Sequence, residues 1–125
     1  MLPDQSVKSD VVIACDPTAI PAEQRDQWAA SGKLVFAAVE EVREFPDGYG
    51  LRLPADSAML LKVAEYISNE RLCCPFLRFE IDIQPNRGPI WVRLTGGEAV
   101  KEYIGRVVAE SGLIREAVAR AAGLT

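Results

Sequence analysis

The sequence predicts an α+β domain in which a four-stranded antiparallel sheet, built from two ββα units, carries helices on one face. Three observations predict this class: apolar and charged residues alternate over 77–84, apolar residues recur at helical spacing elsewhere, and the second half of the chain repeats itself. A length of 125 residues is typical of one domain. We therefore assign residues 11–125 to a single domain and residues 1–10, which are mostly polar, to a flexible N-terminus.

The N-terminal part of the domain is predicted to contain one strand followed by one helix. Residues 11–15 form a short β-rich run, V-V-I-A-C. Pro21 suits the first turn of a helix, and the apolar residues after it repeat at helical spacing, so we expect one helix over about 21–40. A break at Gly32, with a strand beginning at Leu34, is the competing interpretation.

The rest of the chain contains the succession of turn, strand and helix twice. The first copy has a turn at 46–48, a strand at 49–53 and a helix that Asp56 caps and that ends near Cys73, before Pro75. The second copy has the strands 77–84 and 90–94, a turn at 85–89 and a helix opened by a capping box of Thr95 and Glu98. In the strand 77–84 the alternation predicts that the apolar side chains point one way and the polar side chains the other. Gly112 is expected to separate a short last helix.

Composition excludes several functional classes. The chain contains no histidine, which rules out histidine-activated nucleophiles, histidine-containing zinc sites and histidine-ligated haem. Its net charge is −4, so neither nucleic acid nor an anionic membrane is an expected partner. No apolar stretch is long enough to span a bilayer, and the first residues lack the pattern of a secretory signal. We therefore expect a cytoplasmic protein whose cysteines are thiols.

The candidate functional segment is the junction between the helix and the strand, which contains two adjacent cysteines. Its sequence over 70–79 is E-R-L-C-C-P-F-L-R-F. Adjacent cysteines have Cα atoms about 3.8 Å apart, closer than the usual minimum of about 4.4 Å for a disulfide. Cys73 and Cys74 therefore suit a shared soft ion, or a division in which one thiol packs and the other reacts. From the helical stripe, we expect Cys73 to be the more accessible of the two.

Cys15 is the third sulfur available to this pair. Three thiolates without histidine favour soft ions such as Cu(I), Hg(II) or As(III), or Zn(II) with a vacant position. Arg71 and Arg78 are predicted to stabilise thiolate charge, and Phe76 and Phe79 to wall off the site. The opposing interpretation treats the cysteines as small core residues, and for Cys15 alone core packing is favoured.

The same stretch carries a resemblance to a known family. Together with F-P-D-G-Y-G-L-R-L-P before it and W-V-R-L-T-G-G-E-A-V-K-E-Y-I after it, it resembles a family of small uncharacterised bacterial proteins that share an E-R-x-C-C-P-F motif and a cysteine near Cys15. The resemblance covers most of residues 11–105 and implies no particular activity. It implies a site at these residues: Glu70, Arg71, Cys73, Cys74, Pro75 and Phe76.

Two functional hypotheses follow from these patterns. The first is a thiol protein that binds a soft metal or metalloid ion, or acts by thiol redox exchange, through Cys73 and Cys74. The second is a non-enzymatic module in which the cysteines pack, while Tyr49, Trp91 and Tyr103 line a groove for a small organic ligand or a partner. No constellation of acid–base groups indicates an enzyme, so that question stays open. The C-terminal helix suits docking on the sheet or pairing in a homodimer.

Overall fold

A four-stranded antiparallel sheet is the frame of the domain. The computed structural model describes residues 13–123. The strands are β1 (Glu41–Phe45), β2 (Gly48–Leu53), β3 (Arg78–Ile83) and β4 (Ile90–Thr95), in the order β1-β2-β4-β3. The helices are α1 (Arg25–Ala37), α2 (Ser57–Cys73), α3 (Glu98–Glu110) and α4 (Gly112–Ala121), and two 3₁₀ turns, Pro17–Ala19 and Ala22–Gln24, precede α1. The predicted α+β class and four-stranded sheet are confirmed.

Each half of the sheet is a hairpin followed by a helix, as the repeat predicted. The hairpin β1–β2 leads into α2, and the hairpin β3–β4 leads into α3. The two hairpins join where β2 pairs antiparallel with β4. This arrangement leaves β1 and β3 as the two edges of the sheet.

The core lies on one face of the sheet, under the helices. Leu51 pairs with Val92 and Leu53 with Ile90, and since residues two apart share a face, all four side chains point the same way. They form the main buried cluster with residues of α1, α2, α4 and the segment after α1, namely Val35, Val39, Val63 and Ile114. The predicted placement of the helices on one face is thus confirmed. Within residues 13–123, every helix is too short or too polar to cross a bilayer.

Strand β3 follows the predicted alternation, but its apolar face is only partly covered. Phe79 and Ile81 pair with Leu94 and Val92, which places them on the core side. Even so, Ile81 is 40% exposed and Ile83 is 55% exposed. Because β3 is an edge strand, the helical layer covers the side chains of these two residues incompletely.

The N-terminal elements differ from the prediction. Residues 13–15 are not in a strand, and residues 1–12, with the predicted flexible terminus and the start of the strand, lie outside the described part. The helix predicted over 21–40 is α1, which is shorter and passes through Gly32 without a break, so a strand from Leu34 is also wrong. Gly32 is buried, and a Cβ there would lie 2.9 Å from a ring carbon of Tyr66 on α2. The glycine therefore permits close packing of two helices.

Strand β1 was not assigned from the sequence, because Val42 fits helical spacing with the apolar residues before it. In the structure, Val42 pairs with Leu51, and its neighbours Glu41 and Arg43 point to the open face and pair with each other at 3.2 Å. The pairing of Val42 with Leu51 on β2 determines that this segment is a strand. Local periodicity alone favoured a helix.

Helix ends were predicted correctly for α2 and incorrectly for α3. The Asp56 side chain accepts a hydrogen bond from the Ala58 N–H, and α2 ends at Cys73 as expected. Thr95, however, is the buried last residue of β4, and α3 starts after Gly97, whose φ of +100° suits glycine. The prediction that Thr95 and Glu98 form a capping box at the start of α3 is therefore wrong. The separate last helix is confirmed as α4, with Ser111 as its cap.

Candidate three-cysteine site

The end of α2 fixes the positions of the two adjacent cysteines. Cys73 is the last helical residue, and the N–H of Cys74 still donates to the Glu70 carbonyl at 2.8 Å. Cys74 itself leaves the helix, with φ −123° and ψ 71°, as expected for a residue before proline. The chain therefore leaves the helical path between the two cysteines.

The segment before α1 brings Cys15 to this helix end. The N–H of Asp16 donates to the Cys73 carbonyl at 2.8 Å, which ties the segment to the C-terminus of α2. The Asp16 side chain then caps the first 3₁₀ turn by accepting from the Thr18 N–H. After that turn, Ile20 is completely buried against Cys73 and Cys74. A backbone hydrogen bond and an apolar contact thus hold Cys15 beside the pair.

The three sulfur atoms form one cluster. Their Sγ atoms all lie within 4.8 Å of one another. Cys15 is exposed, whereas Cys73 is 2% and Cys74 3% exposed. The expectation that Cys73 is the accessible thiol is therefore wrong, and so is the assignment of Cys15 to the core, because the turn that buries Ile20 leaves Cys15 on the solvent side of the pair.

The separation of the sulfurs is compatible with one bound ion. A metal about 2.3 Å from each of three sulfurs in a plane sets them about 4.0 Å apart, so a small side-chain adjustment from the observed spacing suffices. Among residues 13–123, the cluster of potential ligand atoms contains these sulfurs and no carboxylate oxygen. The described residues thus offer three sulfur ligands and leave any fourth position open.

Glu70 places a fixed negative charge next to the cluster. One carboxylate oxygen accepts from the Trp28 indole N–H at 3.1 Å, and the other accepts from the Tyr66 hydroxyl at 2.6 Å. Burial raises the pKa of the Cys73 thiol, and the Glu70 charge raises it further. The pKa of Cys74 is raised by burial, by its hydrogen bond with Cys15 and by Glu70. Without a bound ion, both buried sulfurs are therefore held as neutral thiols.

Tyr103 of α3 completes the site on the solvent side. Its hydroxyl lies 3.0 Å from the Cys15 Sγ, and its ring packs edge-on against Phe76 with centroids 5.3 Å apart. The hydrogen bond with Cys15 and burial both raise the pKa of the Tyr103 hydroxyl. The sequence predicts Tyr103 in a ligand groove; no local pattern links it to Cys15, because the two residues lie 88 positions apart.

The predicted supporting residues divide into two groups. Phe76 packs against the cysteines as expected, and Glu70 is adjacent. Arg71 is exposed in the last turn of α2, and Arg78 is 69% exposed and lies 3.7 Å from Glu80. Burial raises the pKa of both buried thiols, and the stabilisation of thiolates by these two arginines stays a prediction.

Phe79 was predicted as a wall of the site, and Pro75 is a site residue that the resemblance implies. Phe79 lines a small apolar cavity in the main core with Val63 and Val92. Its expected role as a wall of the thiol site is therefore wrong. Pro75 is exposed just after the helix and ends α2, as its effect on the preceding residue predicts.

The groove proposed for the alternative module does not form. Tyr49 pairs with Leu94 and Trp91 pairs with Arg52, so the Tyr49 and Trp91 side chains leave the sheet on opposite faces. A cleft of about 750 Å³ lies beside Tyr49, but its other walls are the turn after β1 and α3, with both acidic and basic side chains. Neither Trp91 nor Tyr103 lines it. The prediction of this ligand groove is therefore wrong.

Comparison with known proteins adds no relative. No family model matches the chain, and neither the curated proteins nor the solved structures contain a match. The resemblance of the E-R-x-C-C-P-F segment therefore stays a prediction, and the functional argument depends on the geometry of the site.

The buried thiols predict a loss of stability in alkali. Folding raises the pKa of Cys74 above its ordinary value of 9.0, so above pH 9 the folded chain holds a proton that the unfolded chain releases. The stabilisation is complete below pH 9 and declines as the pH rises, by about 1.4 kcal/mol per pH unit for each such thiol. Urea unfolding of the reduced protein at pH 8 and pH 10 measures this decline. Cys74→Ala should show a smaller decline; equal declines in both proteins would contradict the assignment.

Proposed function

We propose that the protein binds a thiophilic metal or metalloid ion through Cys15, Cys73 and Cys74. The observation that carries the proposal is that three sulfurs from two distant parts of the chain lie within 4.8 Å of one another. Soft thiolate ligands select soft ions such as Cu(I), Hg(II), Zn(II) and As(III) over hard oxygen-seeking cations.

Core packing does not account for this arrangement. A cysteine that serves as a small apolar residue is normally buried. Cys15 is exposed, yet its position is fixed by the hydrogen bond from Asp16 to Cys73 and by the contact with the Tyr103 hydroxyl. In this arrangement the exposed thiol is accessible to an ion from solvent, and the two buried thiols can then bind the ion inside the protein.

Thiol redox exchange is less well supported. Exchange requires a thiolate nucleophile, which a nearby cation or a helix N-terminus normally stabilises. Here Cys73 and Cys74 lie at a helix C-terminus beside the Glu70 carboxylate, and the pKa of each is raised. The surroundings of the buried pair favour neutral thiols that react when an ion displaces their protons.

A titration with Cd(II) as the probe ion tests the proposal. In reduced protein, we expect one Cd(II) per chain, ultraviolet absorption of the intensity typical of three cadmium–thiolate bonds, and protection of the exposed Cys15 thiol from an alkylating reagent. Mg(II), a hard cation, serves as the matched control and should protect no thiol. The absence of Cd(II) uptake, or uptake that gives no cadmium–thiolate absorption and leaves Cys15 open to the reagent, would overturn the proposal.

A further inference from the structure

The charge that an ion leaves on the cluster decides which ion the surroundings accept. Three thiolates carry three negative charges, so a monovalent ion leaves the complex at −2, a divalent ion leaves it at −1 and a trivalent ion leaves it neutral. Residual charge is costly where the ligands are buried, and the sulfurs of Cys73 and Cys74 are almost completely shielded from solvent.

A charged side chain at the same helix end makes this cost larger. The Glu70 carboxylate accepts a hydrogen bond on each oxygen, so it is held in place by the protein. Glu70 lies one turn before the two cysteines at the end of α2, and its carbonyl accepts from the Cys74 N–H at 2.8 Å. A complex with net negative charge is repelled by this carboxylate, whereas a neutral complex is not.

The number of ligands also favours a trivalent ion. Structural Zn(II) takes four ligands in a tetrahedron. The described residues supply three sulfurs and no carboxylate oxygen at the cluster. A trivalent metalloid forms three bonds and keeps a lone pair, so three sulfurs satisfy it completely.

We propose that the ion bound by the three cysteines is a trivalent metalloid of the arsenite class. This inference rests on the proposed function and names its substrate class. Arsenous acid, As(OH)₃, is neutral, and it exchanges three As–O bonds for three As–S bonds. Each thiol proton leaves with one hydroxyl group as water, so three waters are released. No electron is transferred, and neither the ion nor the site changes its net charge.

The exposures of the sulfurs give the order of bond formation. Cys15 is the thiol that solvent reaches, so it forms the first bond, with the Tyr103 hydroxyl beside its sulfur. Cys73 and Cys74 then displace the two remaining hydroxyl groups from inside the protein. Phe76, which packs against both the cysteines and Tyr103, shields the finished complex from water.

The test compares arsenite with Cd(II) in wild type, Glu70→Gln and the control Glu116→Gln, which removes an exposed charge on α4. Arsenite should bind one per chain with three As–S bonds, counted by X-ray absorption spectroscopy, and its affinity should stay within about threefold in Glu70→Gln. The affinity for Cd(II) should rise about tenfold or more in Glu70→Gln, because a repulsive charge is removed. Glu116→Gln should leave both affinities unchanged.

The outcomes separate the two proposals. If Cd(II) binds through three sulfurs but arsenite forms two As–S bonds or fewer, the metalloid inference is overturned and the proposed function stands. If Glu70→Gln alters both affinities equally, the charge argument is overturned. If neither ion binds to sulfur, both proposals fail. Should Glu70→Gln not fold, the number of As–S bonds formed in the wild type decides the inference.

Discussion

Cys15→Ser is expected to lower the affinity for Cd(II) about 100-fold or more without disturbing the fold. A four-ligand zinc site gains about 10–16 kcal/mol from its ion, or roughly 3 kcal/mol per ligand, which corresponds to about a 100-fold change in affinity. Serine offers a hard oxygen in place of the soft sulfur. Because Cys15 is exposed, the free energy of unfolding should change by no more than about 0.5 kcal/mol.

The matched control for this substitution is Ala14→Ser, which introduces the same hydroxyl at the neighbouring exposed position. It should bind Cd(II) like the wild type. Competition with a chromophoric chelator measures both affinities. If Cys15→Ser binds Cd(II) as tightly as the wild type, Cys73 and Cys74 are sufficient by themselves and Cys15 is not a ligand.

Ile20→Ala should destabilise the protein by about 3 kcal/mol and weaken ion binding as well. Ile20 has no exposed surface and packs against Cys73 and Cys74. Truncation of a buried isoleucine to alanine costs about 2–5 kcal/mol, because the lost methyl groups leave a cavity. The same contact anchors the segment that presents Cys15, so its loss leaves the third sulfur less well positioned.

Urea unfolding measures the first effect, and the Cd(II) titration measures the second. Leu61→Ala is the control, since Leu61 is 71% exposed and its truncation should change stability by no more than about 0.5 kcal/mol. Equal stability of Ile20→Ala and Leu61→Ala would show that the segment before α1 is not anchored by Ile20. Full destabilisation with unchanged Cd(II) affinity would show that the anchor stabilises the fold without positioning Cys15.

Elements with strong local signals could be predicted from the sequence. The strand β3 lies inside the predicted range because its residues alternate strictly, and α2 has a capping aspartate at one end and a proline just after the other. The second hairpin and the helices that follow both hairpins were recognisable from the repeat. Strand β1 was missed, because Val42 is compatible with a helix until its partner on β2 is known.

The exposure of individual side chains was less predictable. Ile81 and Ile83 have the pattern of core residues, yet their place on an edge strand leaves them partly in solvent. The glycine at position 32 suggests a helix break, yet Gly32 lies inside α1 at a close contact with α2. In each case a neighbour distant in sequence determines the environment.

For the candidate site, the sequence alone determined the chemistry that is available. A chain with three cysteines and no histidine is restricted to sulfur when it binds a soft ion, and the C-C-P junction at the end of a helix follows from local backbone preferences. Only the tertiary structure decided that Cys15 meets this junction, that it is the exposed thiol, and that Glu70 and Tyr103 flank the cluster. The physical reason is that burial and charge depend on how distant segments pack, and the sequence around each cysteine carries no record of that packing.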